Sequence, residues 1–269
     1  MMKNYTVTKA NSNGVPLLIL RPTENKDRQP GILWIHGGGY VTGMASMIYM
    51  SRALPLVKKY GAVVVTPEYR LADKAPYPAA LEDCYEALKY LRNNAENLGI
   101  DDSRIMVGGE SAGGGLTAAL CMYALDKGEV NISFQMPLYP MLDNIDTKSS
   151  KDNHGISWNT KRNHAAWKLY LRDVRGKIPC YAAPARREDY KNLPPAYTFV
   201  GDSEAFYCET LTYIDNLKKA GIDAHVDVYK TGFHAFDMLM PWRKISREAA
   251  EKFEKAWLYA AENYRNPQE

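Results

Sequence analysis

The 269 residues contain only four cysteines and five histidines. Cys84, Cys121, Cys180 and Cys208 stand far apart with no CxxC spacing, which argues against a metal site. Cys84 and Cys121 fall inside helical patterns and read as buried thiols. No block of one charge sign occurs. The 34 basic and 31 acidic residues are interspersed, leaving a formal charge of +3 and no basic tract that would follow a phosphate backbone, so nucleic acid is not an expected partner. No apolar run approaches the roughly 18 residues of a membrane span, and Met1-Met2-Lys3-Asn4-Tyr5 lacks the apolar stretch of a secretory leader. The expectation is a cytoplasmic protein with no membrane partner. Internal repeats and low-complexity tracts are also missing.

What remains is an ordinary globular composition, 46% hydrophobic and 24% charged. Its length suits one α/β domain spanning 1–269 with a small insertion. Two β-prone stretches, 5–9 and 17–20, flank an Asn-Ser-Asn-Gly turn at 11–14, a hairpin signal. Ile32-Leu33-Trp34-Ile35 is a continuous apolar run of the kind that fills a strand covered on both faces. Helices and strands then alternate: helix 46–59, strand 62–66, helix 79–97, strand 105–108, helix 112–127, strand 132–138. After a gap come strand 196–200, helix 206–220, strand 224–229 and helix 246–264. This rhythm predicts a mostly parallel eight-stranded sheet with helices on both faces. Between Leu142 and Pro195 it breaks, leaving one amphipathic helix around Trp158, Trp167, Leu169, Tyr170 and Leu171. Long excursions inside a domain usually form lids or binding loops, so 143–192 is read as a lid.

Gly109-Glu110-Ser111-Ala112-Gly113 matches G-x-S-x-G between a strand, Ile105-Met106-Val107, and a helix starting at Gly114-Gly115-Leu116. A serine on that tight turn projects its hydroxyl above the sheet, and the flanking glycines permit the close reversal. Gly37-Gly38-Gly39 follows the first buried strand, where backbone N–H groups free of Cβ interference can face a developing oxyanion. Gly38, Gly39 and the amide of Ala112 are the candidate donors. A phosphate loop is the competing reading, but no Lys-Ser/Thr follows and the spacing is not GxGxxG. The base is expected on a loop after the last strands. Gly232-Phe233-His234-Ala235-Phe236 supplies it, whereas His154 and His164 lie in the lid, His225 begins a strand and His36 orients the glycine loop.

Together His36-Gly37-Gly38-Gly39-Tyr40, Gly109-Glu110-Ser111-Ala112-Gly113-Gly114 and Gly232-Phe233-His234-Ala235-Phe236 resemble the hormone-sensitive-lipase-like family of α/β-hydrolase carboxylesterases, with its patterns HGGG, GDSAGG and G-F-H-G-F. Tyr69-Arg70-Leu71-Ala72 with Pro76, Pro78 and Ala79, and Leu193-Pro194-Pro195-Ala196, extend the likeness from about Ile32 to the end. The resemblance implies an α/β-hydrolase fold, Ser111 as nucleophile, His234 as base, and Gly38, Gly39 and Ala112 as oxyanion hole. Three departures stand out. The family's D-P-L-R-D-E segment reads here Gly201-Asp202-Ser203-Glu204-Ala205-Phe206-Tyr207-Cys208-Glu209. Aligning Glu209 with its final Glu puts Glu204 on the catalytic acid, with Asp202 the alternative and then a carboxylate capping the helix after 205. Glu110 replaces the family's Asp beside the nucleophile and reads as a support for neighbouring loops. Only 35 residues precede His36, so the helical cap of many relatives is expected to be largely missing and the pocket more open.

The expected function is a serine carboxylesterase acting on a small-molecule ester with short acyl groups, acetyl to butyryl, and needing no cofactor. Tyr40, Trp158 and Phe206 are the candidate substrate-binding residues, with Met44, Trp167 and Phe236 as further wall candidates. The alternatives are a deacetylase of acetylated carbohydrates or an amide or formamide hydrolase at the same site. A non-catalytic binding module on the same fold is disfavoured because serine, acid and histidine all remain. Relatives of this kind often form homodimers, but no motif here assigns one.

Overall fold

A computed structural model of the protein describes residues 4–24 and 28–268. The opening hairpin pairs β1 (Tyr5–Ser12) with β2 (Val15–Pro22), and the reversal falls on Asn13-Gly14 alone, both at positive φ. This two-residue closure matches the twist of the flanking strands. The chain then builds β3 (Gln29–Ile35), a 3-10 turn Ala45–Met50, α1 (Ala53–Tyr60), β4 (Val63–Pro67), α2 (Ala79–Asn93), α3 (Ala95–Leu98), β5 (Ile100–Glu110), α4 (Ala112–Lys127) and β6 (Phe134–Leu138). After a long connection that carries α5 (Thr160–Tyr170) follow β7 (Ala196–Gly201), α6 (Tyr207–Lys219), β8 (Ala224–Tyr229), α7 (Phe236–Leu239) and α8 (Lys244–Asn263). The eight strands lie in the order β1-β2-β4-β3-β5-β6-β7-β8. β1 and β2 are antiparallel to their neighbours, and the rest of the sheet is parallel.

The apolar strand runs feed two layers because successive side chains point to opposite faces. Leu33, Ile35, Val63, Val65, Ile105 and Val107 pack with α2, α4 and α6. Ile32, Trp34, Val64 and Met106 pack with α1 and α8. Burial on both faces explains why these strands read as continuous hydrophobic stretches instead of alternating ones.

Two expected helices are broken, each by a polar side chain that takes backbone partners for itself. In the 46–59 segment, Ser51 Oγ donates to the Ile48 carbonyl (2.9 Å) and accepts from the Ala53 N–H (3.1 Å), separating the 3-10 turn from α1. In 79–97, Asn94 Nδ2 donates to the Tyr90 carbonyl (2.8 Å) at the join of α2 and α3. The four-residue α7 adds to the elements expected from the sequence. Among the described residues no helix is long and apolar enough to cross a membrane.

The segment between β6 and β7 is tied down at several points. Arg172 Nη1 donates to the Asp73 carbonyl (3.1 Å), and Tyr77 N–H donates to the Tyr170 carbonyl (2.9 Å). Asn153 Nδ2 reaches the Ser203 carbonyl (3.2 Å) and Ser157 Oγ donates to the His234 carbonyl (2.9 Å). Residues 153–158 are thereby docked on the loops that follow β7 and β8, at the carboxyl edge of the sheet, where open α/β sheets assemble their sites.

Candidate active site

Ser111 joins β5 to α4 with φ 57° and ψ −118°. A non-glycine residue in that region is strained and persists only where its surroundings hold it. Here they do: Ser111 N–H donates to the Leu138 carbonyl (3.0 Å), and Met141 N–H donates to the Ser111 carbonyl (3.0 Å). The reversal also needs a close approach of β3 to the start of α4. A Cβ at Gly113 would lie 2.1 Å from the Ile35 carbonyl oxygen, so only glycine allows it.

His234 follows β8 and Glu204 follows β7, and both turn back over the sheet edge towards Ser111. Ser111 Oγ lies 2.9 Å from His234 Nε2. His234 Nδ1 is in hydrogen-bond contact with Glu204 Oε2. Ser111, His234 and Glu204 are all buried, with 7%, 5% and 2% of their surface exposed. With Nδ1–H donated to the carboxylate, Nε2 is left to accept the serine proton. Asp202, the alternative acid, is directed elsewhere: its Oδ1 accepts from Ser203 Oγ (2.8 Å) and from Thr231 N–H (3.1 Å). Nor does it cap α6, whose first turn has no side-chain cap. It braces the turn after β7 against the end of β8.

The glycine loop leaves β3 beside the serine, with Gly38 at φ 119° and Gly39 at φ 61°. Glycine is favoured at Gly39 on two counts, its left-handed backbone and the Trp158 Cη2 atom that an added Cβ would meet at 2.4 Å. His36 holds this loop: its Nδ1 donates to the Gly37 carbonyl (2.8 Å) and its ring stacks on Tyr69 at 4.1 Å. Burial lowers the His36 pKa, which favours that neutral, bracing state. Ala112 opens α4, putting its amide at the helix's positive end.

Of the three expected substrate contacts, two lie at the site. The Phe206 ring stands edge-on to His234 at 5.1 Å, and half-buried Trp158 packs 6.2 Å from Phe206 and 6.3 Å from His234. Tyr40 does not line it. Only 1% exposed, its ring stacks on Tyr170 at 4.0 Å and its hydroxyl donates to the Met141 carbonyl (3.0 Å). Its apolar body and polar tip are both satisfied inside the core, which is why it faces inward. Trp167 joins that stack, and Phe236 is buried against Phe199 and Tyr229, while Met44 is exposed.

Residues 32–238 match a family described by the alpha/beta hydrolase fold. An AB hydrolase superfamily protein of Schizosaccharomyces pombe is 33% identical over 234 residues, 83% of this chain and 68% of that protein. The chain belongs to the α/β-hydrolase family. A carboxylesterase of Mycobacterium tuberculosis, NlhH, is 29% identical over 82% of this chain and 71% of its own. Among solved structures, a bacterial heroin esterase superposes with a TM-score of 0.92 at 30% identity, over 98% of this chain and 86% of that one. The family branch is hormone-sensitive-lipase-like, and the hydrolase is a carboxylic ester hydrolase.

Behind its serine the hydrolase buries Glu110, which accepts from Trp34 Nε1 (2.8 Å) and from the Arg52 N–H (3.4 Å). Burial first, and the nearby Asp237 second, push the Glu110 pKa from its ordinary 4.5 up to about 8. A carboxyl whose folded pKa is raised keeps its proton in the fold while the unfolded chain loses it, so stability declines as pH rises from about 4.5 to about 8. Burial raises Asp237 as well, in the same sense. Glu110→Gln, neutral throughout, is expected to lose less Tm than the wild type between about pH 5 and pH 8. Thermal melts at the two pH values check this, and parallel losses would contradict it. Arg52, Tyr139 and Asp237, which surround this carboxyl, belong to none of the sequence motifs. The one available signal was an aspartate inside the apolar stretch Phe236-Asp237-Met238-Leu239.

Proposed function

We propose that the hydrolase is a serine carboxylesterase that cleaves short-chain acyl esters, acetyl to butyryl, through a Ser111-His234-Glu204 triad and an acyl-enzyme. The observation that carries this reading is the unbroken hydrogen-bonded line from Glu204 through His234 to Ser111 Oγ on the strained turn. Ser111 Oγ attacks the ester carbonyl as its proton passes to His234 Nε2, and the imidazolium then protonates the departing alcohol. A water molecule, deprotonated by the same nitrogen, attacks the acyl-enzyme and frees the acid. Glu204 holds the imidazole tautomer and stabilises its charged form. The amides of Gly38, Gly39 and Ala112 receive the oxyanion, and fixed donors of this kind are worth about 2.7–4 kcal/mol each.

The acyl limit rests on Trp158 and Phe206. Trp158 lies against the Cα of Gly39 and flanks His234, so the space beside the nucleophile is narrowed by two aromatic rings. In this reading 143–192 is the lid of a single domain, with Trp158 its contribution to the pocket wall. A series of p-nitrophenyl esters tests it. We expect kcat/KM to peak between acetate and butyrate and to fall at least about tenfold by octanoate, a size discrimination within reach of an apolar wall. Trp158→Ala is expected to move the optimum towards longer chains. A wild-type optimum at octanoate or beyond would refute the short-chain assignment. Faster turnover of acetylated xylan or formylkynurenine than of p-nitrophenyl acetate would transfer it to a carbohydrate or formamide substrate.

A further inference from the structure

Four side chains beneath the active site form a buried polar set that the acyl-transfer steps do not use: Glu110, Arg52, Asp237 and Tyr139. Glu110 is the residue before the nucleophile, and Asp237 lies three residues beyond the base. Arg52, at the start of α1, touches both. Its N–H donates to Glu110 Oε1 (3.4 Å), its Nε pairs with Asp237 Oδ2 (3.1 Å) and its Nη2 donates to the Asp237 carbonyl (3.3 Å). The pair is almost solvent-free, with 12% of the arginine side chain and none of the aspartate exposed. The other Asp237 oxygen accepts from Tyr139 OH (2.9 Å), and the Tyr139 ring packs edge-on against the His234 imidazole at 5.1 Å. Tyr139 directly follows Leu138, whose carbonyl receives the Ser111 N–H.

From this geometry we propose that Arg52 is a positioning residue, which locks the loop carrying His234 to the turn carrying Ser111. The proposal rests on the triad reading above. Its physical basis is that a buried ion pair contributes little net stability compared with an apolar pair of similar volume, while the hydrogen bond from Nη2 to the Asp237 carbonyl gives the contact a direction. Nη2 donates to the Asp237 carbonyl while Nε sits beside its carboxylate as an ion pair without hydrogen-bond alignment, so a shift of the base loop loses the hydrogen bond and separates the two charges. Proton transfer between Ser111 Oγ and Nε2 tolerates little drift, since a displacement of about 1 Å can cost about 10²-fold in rate. Arg52 touches neither Ser111 nor His234 and acts through Glu110 and Asp237.

The test is the double variant Arg52→Met/Asp237→Asn, which removes both charges together and leaves no unpaired buried ion, while the amide oxygen introduced by the second substitution still accepts from Tyr139. Measured on p-nitrophenyl acetate, we expect kcat to fall about 10- to 100-fold with KM within about twofold of wild type. The rate of fluorophosphonate labelling of Ser111 should fall in parallel, with Tm within a few degrees of wild type. A purely structural role would lower Tm and leave kcat of the folded protein unchanged. Unchanged kcat in the folded double variant would overturn the proposal, as would its failure to fold, which would assign the pair to the fold alone. Failure of the wild type to label at Ser111 would instead overturn the triad reading on which it rests.

Discussion

Ser111→Ala is expected to lower kcat by about 10⁶-fold, as for other nucleophiles of this type, while the protein remains folded. Removing Oγ removes the atom that forms the acyl-enzyme. The backbone donors of Gly38, Gly39 and Ala112 remain, so a residual rate above that of the uncatalysed reaction should persist. The fold should be indifferent to the change. Ser111 adopts φ 57° and ψ −118°, a conformation equally costly for serine and alanine, and its backbone is held by Leu138 and Met141. The side-chain hydroxyl's hydrogen-bond partner is His234. Steady-state kinetics with a thermal melt on the same sample checks both halves of the prediction.

Glu204→Ala is expected to cost about 10⁴-fold in kcat, the scale seen when the orienting acid of such a triad is disabled, whereas Asp202→Ala should cost less than about tenfold. The contrast follows from where the two carboxylates point. Glu204 is buried and in contact with His234 Nδ1; without it the imidazole loses its fixed tautomer and the carboxylate that stabilises its charge. Asp202 bonds Ser203 and the Thr231 amide, so its loss loosens a turn one loop away from the imidazole. Comparing kcat for the two variants decides the matter, and the opposite order would move the acid two residues back along the chain.

Much of this candidate site is legible in the sequence because its parts need rare local conformations. A triple glycine after a buried strand and a serine flanked by glycines between strand and helix have few other uses, and motifs far apart in the chain meet at one sheet edge. The parallel sheet was legible for a related reason: strands covered on both faces must be apolar throughout, as at Ile32-Leu33-Trp34-Ile35. What the sequence concealed depends on side-chain direction. Tyr40 follows the glycine loop and was expected in the pocket, but its φ of 65° and the Met141 carbonyl take it into the core. Arg52, Glu110, Tyr139 and Asp237 share no spacing that marks them as partners. Their association arises only when the start of α1, the ends of β5 and β6, and α7 come side by side. The break at Ser51 was hidden likewise, since a serine inside a helical pattern stops the helix only when its hydroxyl captures backbone partners.

The most direct test of Ser111 as the nucleophile is intact-protein mass spectrometry, with peptide mapping, after reaction with a fluorophosphonate. We expect one covalent adduct on Ser111 in the wild type, formed in step with loss of esterase activity, and none on Ser111→Ala. An adduct that persists on Ser111→Ala, or wild-type activity that survives full modification of Ser111, would contradict it.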